Sequence, residues 1–178
     1  QAEDGIRDIG VTGVQTCALP ISDKPILLIQ TNGGAPMQQN KYSWARDIPD
    51  NIVKDVIKEF SSEYLIVHIK REDQPSFENT VPVTDHFRSI IVLFMMSKKR
   101  FLMDSFGQHL AAALELPSTV LWIGNSPKVF GYEIHDNILS NPYTKTPDLK
   151  NSFLQKYDIT GDLLQFPYNN QDEIFDVK

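Results

Sequence analysis

The run Asp104-Ser105-Phe106-Gly107-Gln108-His109 holds the densest set of reactive side chains in the sequence. It separates an apolar run from an alanine-rich stretch, so it reads as a strand end passing into a helix start. Free backbone N–H groups at a helix start attract anions, phosphate above all. Ser105 can add a hydroxyl there and His109 a ring donor. The competing reading is that Asp104 or Ser105 simply caps the helix. A second loop, Asn32-Gly33-Gly34, lets a ligand approach the backbone closely. It is neither GxGxxG nor a Walker loop, and taken alone it is an ordinary turn. Lys41, Trp44 and Arg46 follow in NKYSWARDIP. Two cations around a tryptophan suit a diphosphate, although by themselves they also read as packing beside a solvated face. Asn125 and Ser126, in Gly124-Asn125-Ser126-Pro127, offer an amide and a hydroxyl to the same ligand, or else only a turn.

Other polar residues point to less chemistry. His68 alternates inside an apolar run and reads as structural. His86 and His135 lack partners at metal-ligand spacing, so no metal site is expected. Lys98, Lys99 and Arg100 read as a solvated helix end that complements the dipole. Ser105 and His109 stand one helical turn apart, but Ser105 lacks the GxSxG elbow. A hydrolase is therefore a third choice.

The elements that must hold these residues follow from hydrophobic spacing. Residues 24–30, KPILLIQ, form a near-continuous apolar run, as in a strand covered on both faces. Ile52, Val53, Val56, Ile57 and Phe60 have helical spacing within residues 48–60. Residues 64–69 predict a second strand, and 80–83 a short one. Thr84 or Asp85 is the expected cap of a helix through Phe87, Ile90, Ile91, Phe94 and Met95. Residues 100–103 and 118–123 predict further strands, with a helix over 107–116 between them. Helices are also expected over 147–157 and 170–178. Strands alternating with helices predict an α/β fold, a Rossmann-like parallel sheet with helices on both faces. Such sheets bind ligands at the carboxyl ends of their strands, where the three polar loops fall.

The chain has 178 residues, a net charge of −6, 41% hydrophobic residues and one cysteine. That length suits one domain with a real core. The acidic balance, with pI near 5.1, argues against a nucleic-acid surface. One cysteine excludes a disulfide framework and any CxxC site. No apolar run approaches a membrane span. Residues 1–22 have no hydrophobic period and no signal-peptide pattern. Gln1 to Asp8 and Val11 to Ile21 resemble the translated constant parts of a common short-read sequencing adapter, with Ile9 and Gly10 filling the index slot. The expected organisation is thus an adapter-derived stretch over 1–22 and one Rossmann-like domain over 23–178, truncated at both ends. Cys17 falls in the adapter-like stretch.

Residues 100–130, RFLMDSFGQHLAAALELPSTVLWIGNSPKVF, resemble the donor-side half of glycosyltransferase family nine, the heptosyltransferase-like enzymes of bacterial envelope polysaccharides. That family's pattern is D-[ST]-G-x-x-H-[LI]-x-A-A-L. Asp104, Ser105, His109, Leu110, Ala112, Ala113 and Leu114 match it in spacing. Phe106 stands where the family usually has glycine, with Gly107 next to it. Lys41 and Trp44 resemble its lysine-tryptophan element at a stretched spacing, which leaves Lys41 and Arg46 both open as the phosphate contact. The resemblance implies the C-terminal domain of a GT-B fold. It also implies metal-independent, inverting transfer from a nucleoside-diphosphate sugar, with no cofactor and with the catalytic base on an N-terminal domain. Donor contacts are then expected from Asn32, Gly33, Gly34, Lys41, Trp44, Arg46, Asp104, Ser105, Gly107, Gln108, His109, Asn125 and Ser126. Base choice is expected around Ser97 to Arg100 or Val81 to Asp85. A glycan or lipid-linked glycan acceptor would be bound through the other domain. The expected location is cytoplasmic, at the inner face of the membrane, without nucleic-acid partners. A sugar-nucleotide epimerase of the same architecture, or a non-catalytic binding module, is the alternative.

Overall fold

The computed structural model describes residues 22–33, 46–84, 86–123 and 125–140, together with Glu173 and Phe175. The chain opens with β1 (Ile26–Ile29), α1 (Asp50–Phe60) and β2 (Leu65–Ile69). It continues through β3 (Val81–Val83), α2 (Phe87–Met96), β4 (Lys99–Met103) and α3 (Phe106–Ala113). It then adds β5 (Thr119–Trp122), α4 (Pro127–Phe130) and β6 (Asp136–Leu139). The six strands form one sheet in the order β3-β2-β1-β4-β5-β6. Every neighbouring pair is parallel. Growth runs outward from β1 to β3, then restarts on the other side of β1 at β4. This is the order of a Rossmann-like sheet, with its switch point between β1 and β4.

Strand side chains alternate between faces, which divides the core in two. Leu27, Ile29, Ile66, Met103 and Leu121 pack with Ile52, Val53 and Ile57 of α1. Phe175 joins the same cluster. Ile26, Leu28, Val67, Leu102, Val120 and Trp122 pack with Ile90, Leu93 and Phe94 of α2 and Ala111 of α3. β1 is therefore buried at all four positions, which is why its sequence is apolar without alternation.

Three expectations need correcting. Lys99 and Arg100 open β4 instead of ending α2, and Arg100 is buried because its guanidinium donates to the Ser97 and Pro117 carbonyls. The N-cap of α2 is His86, which makes no side-chain cap bond; Thr84 lies too early, and Asp85 lies outside the described residues. Residues 136–139 add a sixth strand that apolar patterning does not show. β6 is an edge strand with three exposed residues, and it aligns because Ser118 and Trp122 carbonyls accept the N–H groups of Asp136 and Ser140 at 2.9 and 2.8 Å. The helix expected over 147–157, and most of the one over 170–178, lie outside the described residues. Among the described residues no helix is long and apolar enough to cross a membrane.

Leu28 is fully enclosed on the central strand. Leu28→Ala should lower the unfolding free energy by about 2–5 kcal/mol, read from urea denaturation at an unchanged denaturant slope. A loss under about 1 kcal/mol would contradict the enclosed position of β1.

Candidate functional site

The carboxyl ends of β1, β2 and β4 surround a crevice of about 800 Å³. Gln30 and Asn32 line it from the end of β1, and Arg46 from the segment before α1. Residues 70–74 line it from the loop after β2, and Ser105 and Phe106 from the start of α3. Ile69 and Ile90 supply its apolar side, with Thr84 beside them. The crevice therefore sits at the switch point, where helices leave the sheet towards opposite faces.

Arg46 bridges the two sides. Its Nη2 and Nε donate to the Asp104 carbonyl at 2.7 and 3.2 Å, and Nε lies 3.9 Å from Asp104 Oδ2. The arginine side chain stays 37% exposed, so part of the guanidinium faces the crevice. A pair this open adds little stability; its effect is to fix the cation. Asp104 Oδ2 also accepts from Asn125 Nδ2, which ties the end of β4 to that of β5. Gly33 donates its N–H to Asp47 Oδ1 at 3.0 Å, while the Ile48 N–H reaches the Thr31 carbonyl at 2.9 Å. A Cβ on Gly33 would stand 2.9 Å from Met103 Cε and 3.3 Å from Arg46 Nη2. Glycine here leaves room for the arginine to close over the strand end.

Behind this wall the Thr31 hydroxyl donates to Asn32 Oδ1 at 2.8 Å. It can then only accept from His68 Nε2, 2.9 Å away, which puts the ring proton on Nε2. His68 Nδ1 is buried without a hydrogen-bond partner among the described residues. Burial, aided by the charge of Lys70, lowers the His68 pKa to about 4. The ring is neutral at pH 7 and structural, as its place inside a strand implies.

The structure thus brings Asn32, Gly33, Arg46, Asp104 and Ser105 together. Gly107 stands directly behind Ser105, and its N–H donates to Gln30 Oε1 at 3.2 Å. Gly34, Lys41 and Trp44 lie outside the described residues. Gln108 and His109 stand off the crevice wall, because each helical step turns the side chain by about 100°. Gln108 is buried and donates from Nε2 to the Phe130 carbonyl at 3.0 Å, and its backbone carbonyl accepts from His135 Nε2 at 2.9 Å. His109 is exposed beside Tyr132, with Nδ1 3.0 Å from the tyrosine hydroxyl. Ser126 is committed as the N-cap of α4, accepting from the Lys128 N–H at 3.2 Å. Residues 97–100 fall at the opposite, amino edge of the sheet, where Arg100 donates to the Ser97 and Pro117 carbonyls. Thr84, from the other segment considered for base choice, does line the crevice.

Sequence reasoning missed Gln30 and the wall formed by residues 70–74. The second carried a signal: the charge run Lys70-Arg71-Glu72-Asp73 directly follows a strand. No group of three or more His, Cys, Asp or Glu side chains that could hold a metal occurs among the described residues.

The His68 geometry has a pH consequence. The unfolded chain gains a proton at His68 near pH 6.5, whereas the folded chain gains it only near pH 4. Stability should therefore fall as the pH drops through that window, by up to roughly 3 kcal/mol from this group. His68→Gln keeps a donor for Thr31 and removes the titration. Its unfolding free energy, followed by urea denaturation, should fall less than wild type between pH 7 and 4; parallel curves would refute the assignment.

No family model matches the chain, and no curated protein matches it. Among solved structures it is similar to E. coli heptosyltransferase WaaC with ADP, at a TM-score of 0.53 and 14% identity. The match covers 70% of this chain and 41% of that one, so the chain spans less than half the length of that transferase. At such low identity the likeness concerns architecture: the chain has a Rossmann-like α/β fold similar to that of a heptosyltransferase.

Proposed function

We propose that the crevice between β1 and β4 binds the diphosphate of a nucleoside-diphosphate sugar, and that the chain is the donor-binding part of a glycosyltransferase. The observation that supports this best is the part-exposed Arg46 guanidinium, fixed on the Asp104 carbonyl beside Ser105 at the start of α3. A guanidinium, a hydroxyl and a helix start converging on one cavity match an anion with several oxygens. The similar transferase structure was solved with ADP, which agrees with this reading.

In the proposed reaction an acceptor hydroxyl, deprotonated by a base on another domain, attacks the anomeric carbon. The bond to the diphosphate breaks, with inversion, and the diphosphate leaves with the electron pair. Arg46 and Ser105 bind its oxygens and stabilise the developing charge, the task that a preorganised site performs best. Asp104 and Asn125 hold each other at the strand ends and shape the sugar side. His109 lies one turn along α3, held by Tyr132, and Lys41 is the second candidate cation. No metal enters this scheme. The acceptor would be an envelope glycan, met at the inner face of the cytoplasmic membrane where nucleotide sugars are found.

Titration calorimetry of the chain with ADP, GDP, UDP and CDP tests the reading. At least one should bind, and Arg46→Met should weaken it about tenfold or more, as expected for loss of a charged hydrogen bond. No heat and no thermal stabilisation with any of the four, in a sample that unfolds cooperatively, would sink the proposal.

A further inference from the structure

Ser105 occupies the N-cap position of α3, yet its side chain makes no cap hydrogen bond. Ser126, in the same position on α4, does make one. The difference is Gln30. Its Oε1 accepts the Gly107 N–H at 3.2 Å, the kind of bond a capping serine would make. Its Nε2 donates to Ser105 Oγ at 3.3 Å. The fit is close, since a Cβ on Gly107 would lie 2.3 Å from Gln30 Oε1. Gln30 is 4% and Ser105 8% exposed, and both line the crevice. A hydroxyl that accepts a hydrogen bond still carries its own proton. Among the described residues no acceptor takes the proton of Ser105, although an unmade bond at a buried donor is costly.

We infer that Gln30 is a positioning residue: it caps α3 in place of Ser105 and, by donating to Oγ, directs the Ser105 O–H into the crevice towards a ligand oxygen. This inference rests on the proposed nucleoside-diphosphate site and names the group that Ser105 meets there, a phosphate oxygen, which carries lone pairs and no proton at pH 7. An amide suits the task because its two ends do opposite things. The carbonyl satisfies the helix, and the NH₂ commits the hydroxyl oxygen as an acceptor.

A double-mutant cycle separates this role from mere support. The tightest-binding of ADP, GDP, UDP and CDP is titrated into wild type, Gln30→Met, Ser105→Ala and the double variant. Gln30→Met should weaken binding about tenfold when Ser105 is present and less than about twofold in the Ser105→Ala background. Equal losses in both backgrounds, or no loss in a folded Gln30→Met, overturn the inference. Gln30→Glu covers the case in which the methionine variant does not fold, because it keeps an acceptor for Gly107. Its carboxylate would draw the Ser105 proton away from the ligand, so the loss should again be larger when Ser105 is present. Equal losses would measure charge repulsion alone and overturn the inference. Absence of binding by folded wild type overturns the function and this inference together. Binding without coupling overturns this inference alone.

Discussion

At the end of β1 the chain turns towards α1 on one face of the sheet, and at the end of the neighbouring β4 it turns towards α3 on the other. Two adjacent parallel strands whose continuations part in this way leave a gap that no helix can fill. Their last N–H and C=O groups have no further strand residue to pair with, so they take partners locally or from solvent. The chain answers with a short set of polar side chains. Asp47 accepts from Gly33, Arg46 donates to the Asp104 carbonyl, and Thr31 links Asn32 to His68. The same gap that forces polar residues on the strand ends makes them accessible from one side. The crevice and its chemistry thus have a common cause in the topology.

What Arg46 adds to the charge of the crevice follows from how it is held. Its two short bonds go to a backbone carbonyl, which is neutral, and the carboxylate of Asp104 stands farther off at 3.9 Å. That carboxylate is shared with the Asn125 amide. The guanidinium is thereby fixed in place while the Asp104 carboxylate stands 3.9 Å from Nε, in a chain whose overall charge is −6. Local placement, not net charge, decides which ligand such a site attracts.

Much of this was legible in sequence because the signals were redundant. KPILLIQ and YLIVHI are too uniformly apolar for a half-exposed strand, and the helix between them has period 3.6. A parallel sheet follows, and with it the rule that places Asn32, Asp104 and Asn125 at one edge. Three things were hidden. β6 carries Asp136 and Asn137 and is mostly exposed, so its pairing with β5 is set by backbone bonds and leaves no apolar period. The direction of Gln108 depends on Phe130, a neighbour distant in sequence, and Ser126 turns to the Lys128 N–H of its own helix, a choice that composition does not show. Gln30 ends an apolar run, where a polar residue reads as the strand's boundary; its partners lie 75 and 77 positions away. Composition cannot express such a pairing.

The chemical type at Gln30 matters for the same electrostatic reason as the placement of Arg46. An aspartate or glutamate there could accept the Gly107 N–H, but its charge would be drawn to the positive end of the α3 dipole. It would then offset the feature that favours an anionic ligand. A neutral amide satisfies the N–H while leaving the dipole's field nearly intact. Serine could also have capped its own helix, as Ser126 does on α4, but its hydroxyl oxygen would then have been turned to the backbone. Assigning the cap to a neutral side chain from the neighbouring strand keeps both the field of α3 and the Ser105 proton available on the crevice side. It also couples β1 to α3 across the switch point, so that the two walls of the crevice are held at one separation by the residue that sets the donor's direction.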